Sequence, residues 1–112
     1  GEEFNDGQHG AADTAFLKDI VKGVVEHQRV IDPAINACLS DKWQLPRLDA
    51  TLRAILRSAG YELKYRPDVP ARVTIAEYVQ LADAFFDDNE SSFINGALDK
   101  LAHEVRPSEF SP

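Results

Sequence analysis

Between Leu48 and Leu63 the apolar residues fall at Leu48, Leu52, Ile55, Ala59 and Leu63, separated by four, three, four and four positions. That spacing puts all five on one face of an α-helix, whose side chains advance by about 100° per residue. A stripe this long must be covered, so the segment from about Leu45-Pro46 to Lys64 predicts a helix packed along one side by others. Arg53 and Arg57 lie one turn apart on the same segment, more than about 90° from the centre of the stripe.

The same signal recurs on both sides. Asp13 reads as the N-cap of a helix running to about Gln28, with Phe16, Leu17, Ile20, Val21, Val24 and Val25 inward. Asp32-Pro33 reads as a second start, Asp capping and Pro at the first helical position, with Ile35, Cys38 and Leu39 inward. Pro67 and Pro70 close the central helix, since proline cannot continue its hydrogen-bond ladder. Thr74, followed three residues later by Glu77, forms a capping box for a fourth helix with Ile75, Val79, Ala82 and Phe86 inward. The run Asp87-Asp88-Asn89-Glu90 breaks it. A last helix from about Ser91 carries Ile94, Ala97, Leu98, Leu101 and Val105 inward and ends at Arg106-Pro107. Val69–Ile75 is rich in β-branched residues, yet no segment alternates with a period of two. The expected fold is all-α, a compact bundle of about five helices. Residues 1–12 form a flexible lead-in and residues 13–112 one helical domain.

Composition narrows the function classes. A chain of 112 residues with 44% apolar content can bury a genuine core. The single Cys38 excludes an internal disulfide and clustered-cysteine zinc sites. No apolar run approaches the roughly 20 residues that span a bilayer, so the chain reads as soluble and cytoplasmic, with no membrane role. The net charge of −7 opposes nucleic-acid binding by this chain alone. Phosphate affinity comes from Lys and Arg displacing counterions, so an RNA role needs a local basic patch, a basic segment or a basic partner.

Nothing in the sequence points to catalysis, a metal or a cofactor. His9, His27 and His103 share no ligand spacing and read as solvated surface residues. Cys38 lies on an apolar stripe with no basic neighbour, the setting of a structural thiol rather than a nucleophile. The acidic run Asp87–Glu90 lacks the alternating ligands and central glycine of a calcium loop, and reads as a charged loop that favours the next helix start. No phosphate-binding loop, dinucleotide fingerprint or nucleophile elbow is present. Gly60 and Gly96 are single glycines within helices, which mark close helix packing. Phe93 lies about 100° from Ile94, the middle of its stripe, so it belongs at the edge of the core beside the acidic loop. There it serves either as a flanking core aromatic or as a ring offered to an unpaired base or to a partner.

Several ordered motifs from Trp43 onward resemble the NusB family. The run LRAILRSAGYEL from Leu52 to Leu63 resembles that family's central helix with its Tyr-Glu-Leu ending. Asp68-Val69-Pro70 matches its Asp-Val-Pro turn, and Val73 to Ala82 follows the pattern of its next helix. Phe93-Ile94-Asn95-Gly96-Ala97-Leu98-Asp99 corresponds to its Phe-Val-Asn-Gly-Val-Leu-Asp motif. The segment from Asp13 to Leu39 is compatible with the family's middle helices.

The resemblance implies an all-α fold and a non-catalytic adaptor. Such a protein pairs with NusE, a small-subunit ribosomal protein, to bind boxA RNA within the transcription elongation complex. It thereby supports antitermination and rRNA transcription. A basic NusE would answer the charge problem. The resemblance places Asn89 and Phe93 near RNA, with Arg72 added as a basic neighbour. Asp49 and Arg53, early on the central helix, are the expected NusE-facing residues. Family members begin with an arginine-rich helix that contacts phosphates, and nothing in residues 1–12 resembles it. The chain thus reads as a fragment or a shortened relative that binds RNA weakly by itself and has a route to homodimerisation. Two alternatives stand beside this reading: a non-enzymatic helical protein–protein module, and the RNA-binding accessory domain of an rRNA cytosine methyltransferase.

Overall fold

The computed structural model describes the backbone of residues 11–110 and the side chains of Ala15 and of residues 18–110. Residues 1–10 of the expected lead-in, His9 among them, and the side chains of Phe16 and Leu17 lie outside the described residues. Four α-helices follow in order: α1 Ala11–Asn36, α2 Ala50–Tyr65, α3 Ala71–Asp83 and α4 Asp88–Val105. Short 3-10 turns occupy Asp41–Trp43, Leu45–Arg47 and Pro107–Glu109. No strand forms among the described residues, Val69–Ile75 included. The all-α expectation holds, with four α-helices among the described residues where about five were expected.

The difference lies at Asp32-Pro33. No helix starts there, because α1 runs on through Pro33 to Asn36. Proline removes one ladder bond and crowds the carbonyl four residues back. Tertiary contacts on both sides hold the helix together regardless. Ile31 and Ile35 are 1% and 2% exposed, and Asp32 is gripped by Arg57 of α2 through Nε and Nη2, both at 2.9 Å. Asp32 therefore pairs across helices instead of capping one. Asp13 lies two residues inside α1, which begins at Ala11.

Helix α2 is central and packs against α1, α3 and α4. Its stripe of Leu52, Ile55, Ala59 and Leu63 is buried as the spacing predicts, and so is Leu48 just ahead of the helix. Burying such a side chain contributes roughly 1.5–3 kcal/mol for the larger aliphatic residues. Two glycines let α1 and α2 approach closely. A Cβ on Gly23 would lie 2.2 Å from the Tyr61 ring, and one on Gly60 3.1 Å from Ile31 and Ile35. Gly60 thus marks close packing, whereas Gly96 does not: a Cβ there meets nothing within 4 Å. On α1 the inward stripe is Ile20, Gly23, Ile31 and Ile35. Val21 and Val25 were expected inward but are 57% and 69% exposed, since each stands about 100° from a stripe position.

Three helix starts also differ from expectation. Helix α2 begins at Ala50 with Asp49 as its cap, so Leu45-Pro46 belongs to a 3-10 turn. Helix α3 begins at Ala71 after Pro70. Thr74 is fully buried inside it, and its hydroxyl has no partner, so no capping box forms. Helix α4 begins at Asp88, within the acidic run rather than after it.

The α2–α3 corner is closed by the segment that follows α4. Arg106, 6% exposed, donates to the carbonyls of Leu63 at 2.7 Å, Glu62 at 2.9 Å and Arg66 at 2.7 Å. It also donates to the Val69 carbonyl and, at 3.1 Å, to the Glu109 carboxylate. The other Glu109 oxygen accepts from the Ala71 amide at 2.8 Å. Arg106 thus meets the Leu63 carbonyl, which has the amide-less Pro67 four residues on, and adds a second donor to the Glu62 and Arg66 carbonyls, which also accept the Arg66 and Val69 amides; Glu109 meets an amide that α3 leaves unpaired. Pro70 has no side-chain acceptor, so the Ala71 amide is met by a residue 38 positions further on.

Candidate functional site

A pocket of about 290 Å³ opens where the segment joining α1 to α2 meets the first turns of α4. Trp43, Arg47, Leu48, Asp49, Leu52, Asn89, Glu90 and Phe93 line it. Its walls come from three pieces of chain, each fixed by identifiable bonds.

The joining segment is tied to the end of α1. Asn36 Oδ1 accepts the Leu45 amide at 2.9 Å. Gln44 Nε2 donates to the carbonyls of Asn36 and Ser40, each at 3.1 Å. With Leu45 buried at 1% exposure as an anchor, Trp43 is left 54% exposed at the pocket. The start of α2 is set by Asp49, whose carboxylate accepts from the Thr51 amide at 2.8 Å and the Leu52 amide at 3.3 Å. Such a cap is worth about 1 kcal/mol. Arg53 donates to the Leu48 carbonyl at 2.6 Å.

Helix α4 enters after Asp87, with Asp88 and Glu90 in its first turn, where carboxylates interact favourably with the helix dipole. The buried Ser91 hydroxyl donates to the Asp83 carboxylate at the end of α3, which fixes where that turn sits. Phe93 is half-buried against the core.

The structure brings Asn89, Phe93 and Asp49 together in this pocket. It does not bring Arg72 or Arg53 there. Arg72 is exposed on the first turn of α3, and Arg53 is half-buried on the Leu48 carbonyl. Asp49 touches the pocket with a carboxylate already bound by two amides. Trp43, Arg47 and Glu90 were not foreseen as site residues. The available signal was Trp43 itself, the chain's one tryptophan, lying outside every apolar stripe.

Other candidate chemistry fares as follows. Cys38 is half-buried beside Lys100, His103 and Glu104 in a shallow second pocket. Burial, then the Glu104 charge, pushes its thiol above the ordinary range, away from thiolate character. His27 is not simply solvated: it is half-buried and stacks on Tyr65 at 4.1 Å. His103 is exposed and stacks on Phe110 at 4.0 Å. Among the described residues no group of His, Cys, Asp and Glu could hold a metal ion, and no helix is long and apolar enough to cross a membrane.

Comparison with known proteins identifies the family and the fold. The model of the NusB family matches residues 2–103. A Maricaulis maris protein named "Transcription antitermination protein NusB" is 58% identical over 99 residues, which is 88% of this chain and 62% of that protein. A Rhodopseudomonas palustris protein of the same name is 45% identical over 111 residues, covering 99% of this chain and 66% of that one. The chain therefore spans just under two thirds of the length of these curated relatives. A solved structure of T. maritima NusB superposes with a TM-score of 0.82 at 34% identity, over 97% of this chain and 77% of that one.

Proposed function

The chain belongs to the NusB family, and on that footing we propose that it acts in transcription antitermination as a non-enzymatic adaptor. In this reading it binds boxA RNA together with NusE in the cytoplasm, within the elongation complex, and so supports rRNA transcription. The observation that carries the reading is the pocket in which Trp43 and Phe93 stand with Asn89 and Arg47. Aromatic rings at a surface pocket accept unpaired bases by stacking, at roughly 1–3 kcal/mol per base. The net charge of −7 supports a division of labour, with a basic NusE supplying phosphate contacts. In this reading Arg72 contributes a further cation from α3, and NusE docks beside the pocket, against Asp49 on its rim and Arg53 one turn further along α2.

The deciding experiment is a fluorescence anisotropy titration of boxA-like single-stranded RNA at two salt concentrations, with and without NusE, on this chain and on Phe93→Ala. The adaptor reading expects NusE to raise affinity and Phe93→Ala to lower it by about tenfold. Tight binding that ignores NusE would sink the shared mechanism.

A second reading, a helical protein–protein module, draws on one observation. Val73, Leu81 and Phe85 of the α3 region are 47%, 43% and 62% exposed. It expects Phe93→Ala to leave RNA affinity untouched while Phe85→Ala changes association with a protein partner or with itself.

A further inference from the structure

The chain carries a net charge of −7, yet its cations are not spread evenly. On α1, Lys18, Lys22 and Arg29 are all exposed. At about 100° per residue they fall within about 40° of one another around the helix. None of the three makes an ion pair among the described residues. Val25 stands between them, 69% exposed, and Val21, 57% exposed, lies at the edge.

The acids of the same helix are mostly occupied elsewhere. Asp19 accepts from Arg66 at 2.7 Å. Asp32, about 60° to one side of the cations, is held by both arms of Arg57. Glu26, about 60° to the other side, flanks the face without entering it. An acidic chain thus presents a cationic strip about 16 Å long from Lys18 to Arg29. The strip also has a direction. Asn36 ends α1 seven residues after Arg29, within about 20° of it around the helix. Its Oδ1 accepts the Leu45 amide at 2.9 Å and so anchors the segment that bears Trp43. The cations therefore lead along α1 toward the pocket and stop about 10 Å short of that anchor.

We propose that this face of α1 is a track for the sugar–phosphate backbone of single-stranded RNA, with Lys18, Lys22 and Arg29 each meeting a phosphate of a strand whose base stands in the Trp43 pocket. The inference rests on the RNA-binding reading above and adds a second contact surface with a different task. Phosphate contacts hold and orient a strand without reading its sequence, whereas the pocket takes a base. The track supplies part of the attraction that the chain's overall charge withholds, beside what NusE contributes. An acidic protein segment would also satisfy the cations. RNA is favoured because the track runs to an aromatic pocket, which a base fills and a carboxylate does not.

The test measures affinity by fluorescence anisotropy across a salt series, on a boxA-like strand and on oligouridine of equal length, with and without NusE. Affinity for single strands falls with salt at a log–log slope of about −0.7 per phosphate neutralised. The triple variant Lys18→Gln/Lys22→Gln/Arg29→Gln should therefore flatten the slope by about 2. It should weaken both strands by the same factor, about tenfold at the low-salt end. Glutamine keeps the helix propensity of these exposed positions, so circular dichroism should be unchanged. Phe93→Ala should instead lower affinity at every salt with the slope preserved. Lys64→Gln/Lys100→Gln removes as much charge from exposed positions of α2 and α4 as Lys18→Gln/Lys22→Gln removes from α1, and should flatten the slope less. An unchanged slope in the triple variant, or equal flattening by the two pairs, overturns the track; the RNA reading stands if Phe93→Ala still weakens binding. Flattening seen only with NusE present assigns the cations to that protein and overturns the track as an RNA contact. Absence of binding by the parent at every salt, NusE included, overturns both.

Discussion

Arg57 on α2 holds Asp32 on α1 through two parallel bonds of 2.9 Å, one position before the proline that sequence pattern takes as a helix start. The pair fastens the last turn of α1 to the central helix. That turn in turn carries Asn36, whose side chain fixes the segment bearing Trp43.

Replacing Arg57 by Lys is expected to lose the fork geometry and about 1 kcal/mol, because both side chains are only about a quarter exposed. Amide exchange should then quicken at Ala37, whose N–H bonds to the Pro33 carbonyl at 3.0 Å. Unchanged protection at Ala37 would show that core packing alone holds α1 past Pro33.

Arg106→Ala removes one buried guanidinium from four carbonyls and a carboxylate. The expected loss is about 3–5 kcal/mol, read from urea unfolding, a large share of the stability of a domain this size. Arg106→Lys should recover less than half, since an ammonium has three donors and no planar fork. Near-complete rescue by lysine would mean that charge, not the fan of donors, matters there.

Glu62 is 3% exposed and accepts from the Tyr78 hydroxyl. Burial raises its carboxyl above the usual range, partly offset by that bond. The sign follows directly. A carboxyl whose folded pKa is raised favours folding in its protonated form, and this contribution falls away as pH rises from the ordinary glutamate value through the raised one. Glu62→Gln keeps the acceptor for Tyr78 and removes the ionisation. Its stability relative to the parent should therefore improve between about pH 4 and neutrality. A stability gap independent of pH in paired urea titrations would refute this.

Gly96 is exposed on α4 with nothing near its absent Cβ. It stands seven residues from Asn89, within about 20° of it around the helix. Gly96→Ala should stabilise the chain by about 0.5–1 kcal/mol. If a ligand backbone approaches this face, RNA affinity drops at the same time. A stabilised variant with undiminished affinity would assign the glycine no role in contact.

Much of the fold was legible because it depends on periodicity. The stripe from Leu48 to Leu63 and that from Ile94 to Leu101 are buried as their spacing requires. What pattern could not supply were decisions made by distant residues. Asp32-Pro33 looks like a start in isolation, and it takes Arg57 to show otherwise. Thr74 looks like a cap, yet the amide at the head of α3 is met by Glu109. The site divides the same way. Asn89 and Phe93 are near each other on one helix, and motif resemblance flagged both. Trp43 and Arg47 join them only because Asn36 and Gln44 fold the connecting segment back, and no local signal announces that.

The Arg106 clasp also imposes an order of events on synthesis. The Leu63 carbonyl and the guanidinium that satisfies it are separated by 43 residues. At roughly 5–20 residues per second, the ribosome delivers the second about 2–9 s after the first. Throughout that interval the α2–α3 corner of the nascent chain must rely on water for its unpaired carbonyls. Residues 106 to 109, translated well after the corner they close, complete the α2–α3 joint, and any truncation before Arg106 leaves it open.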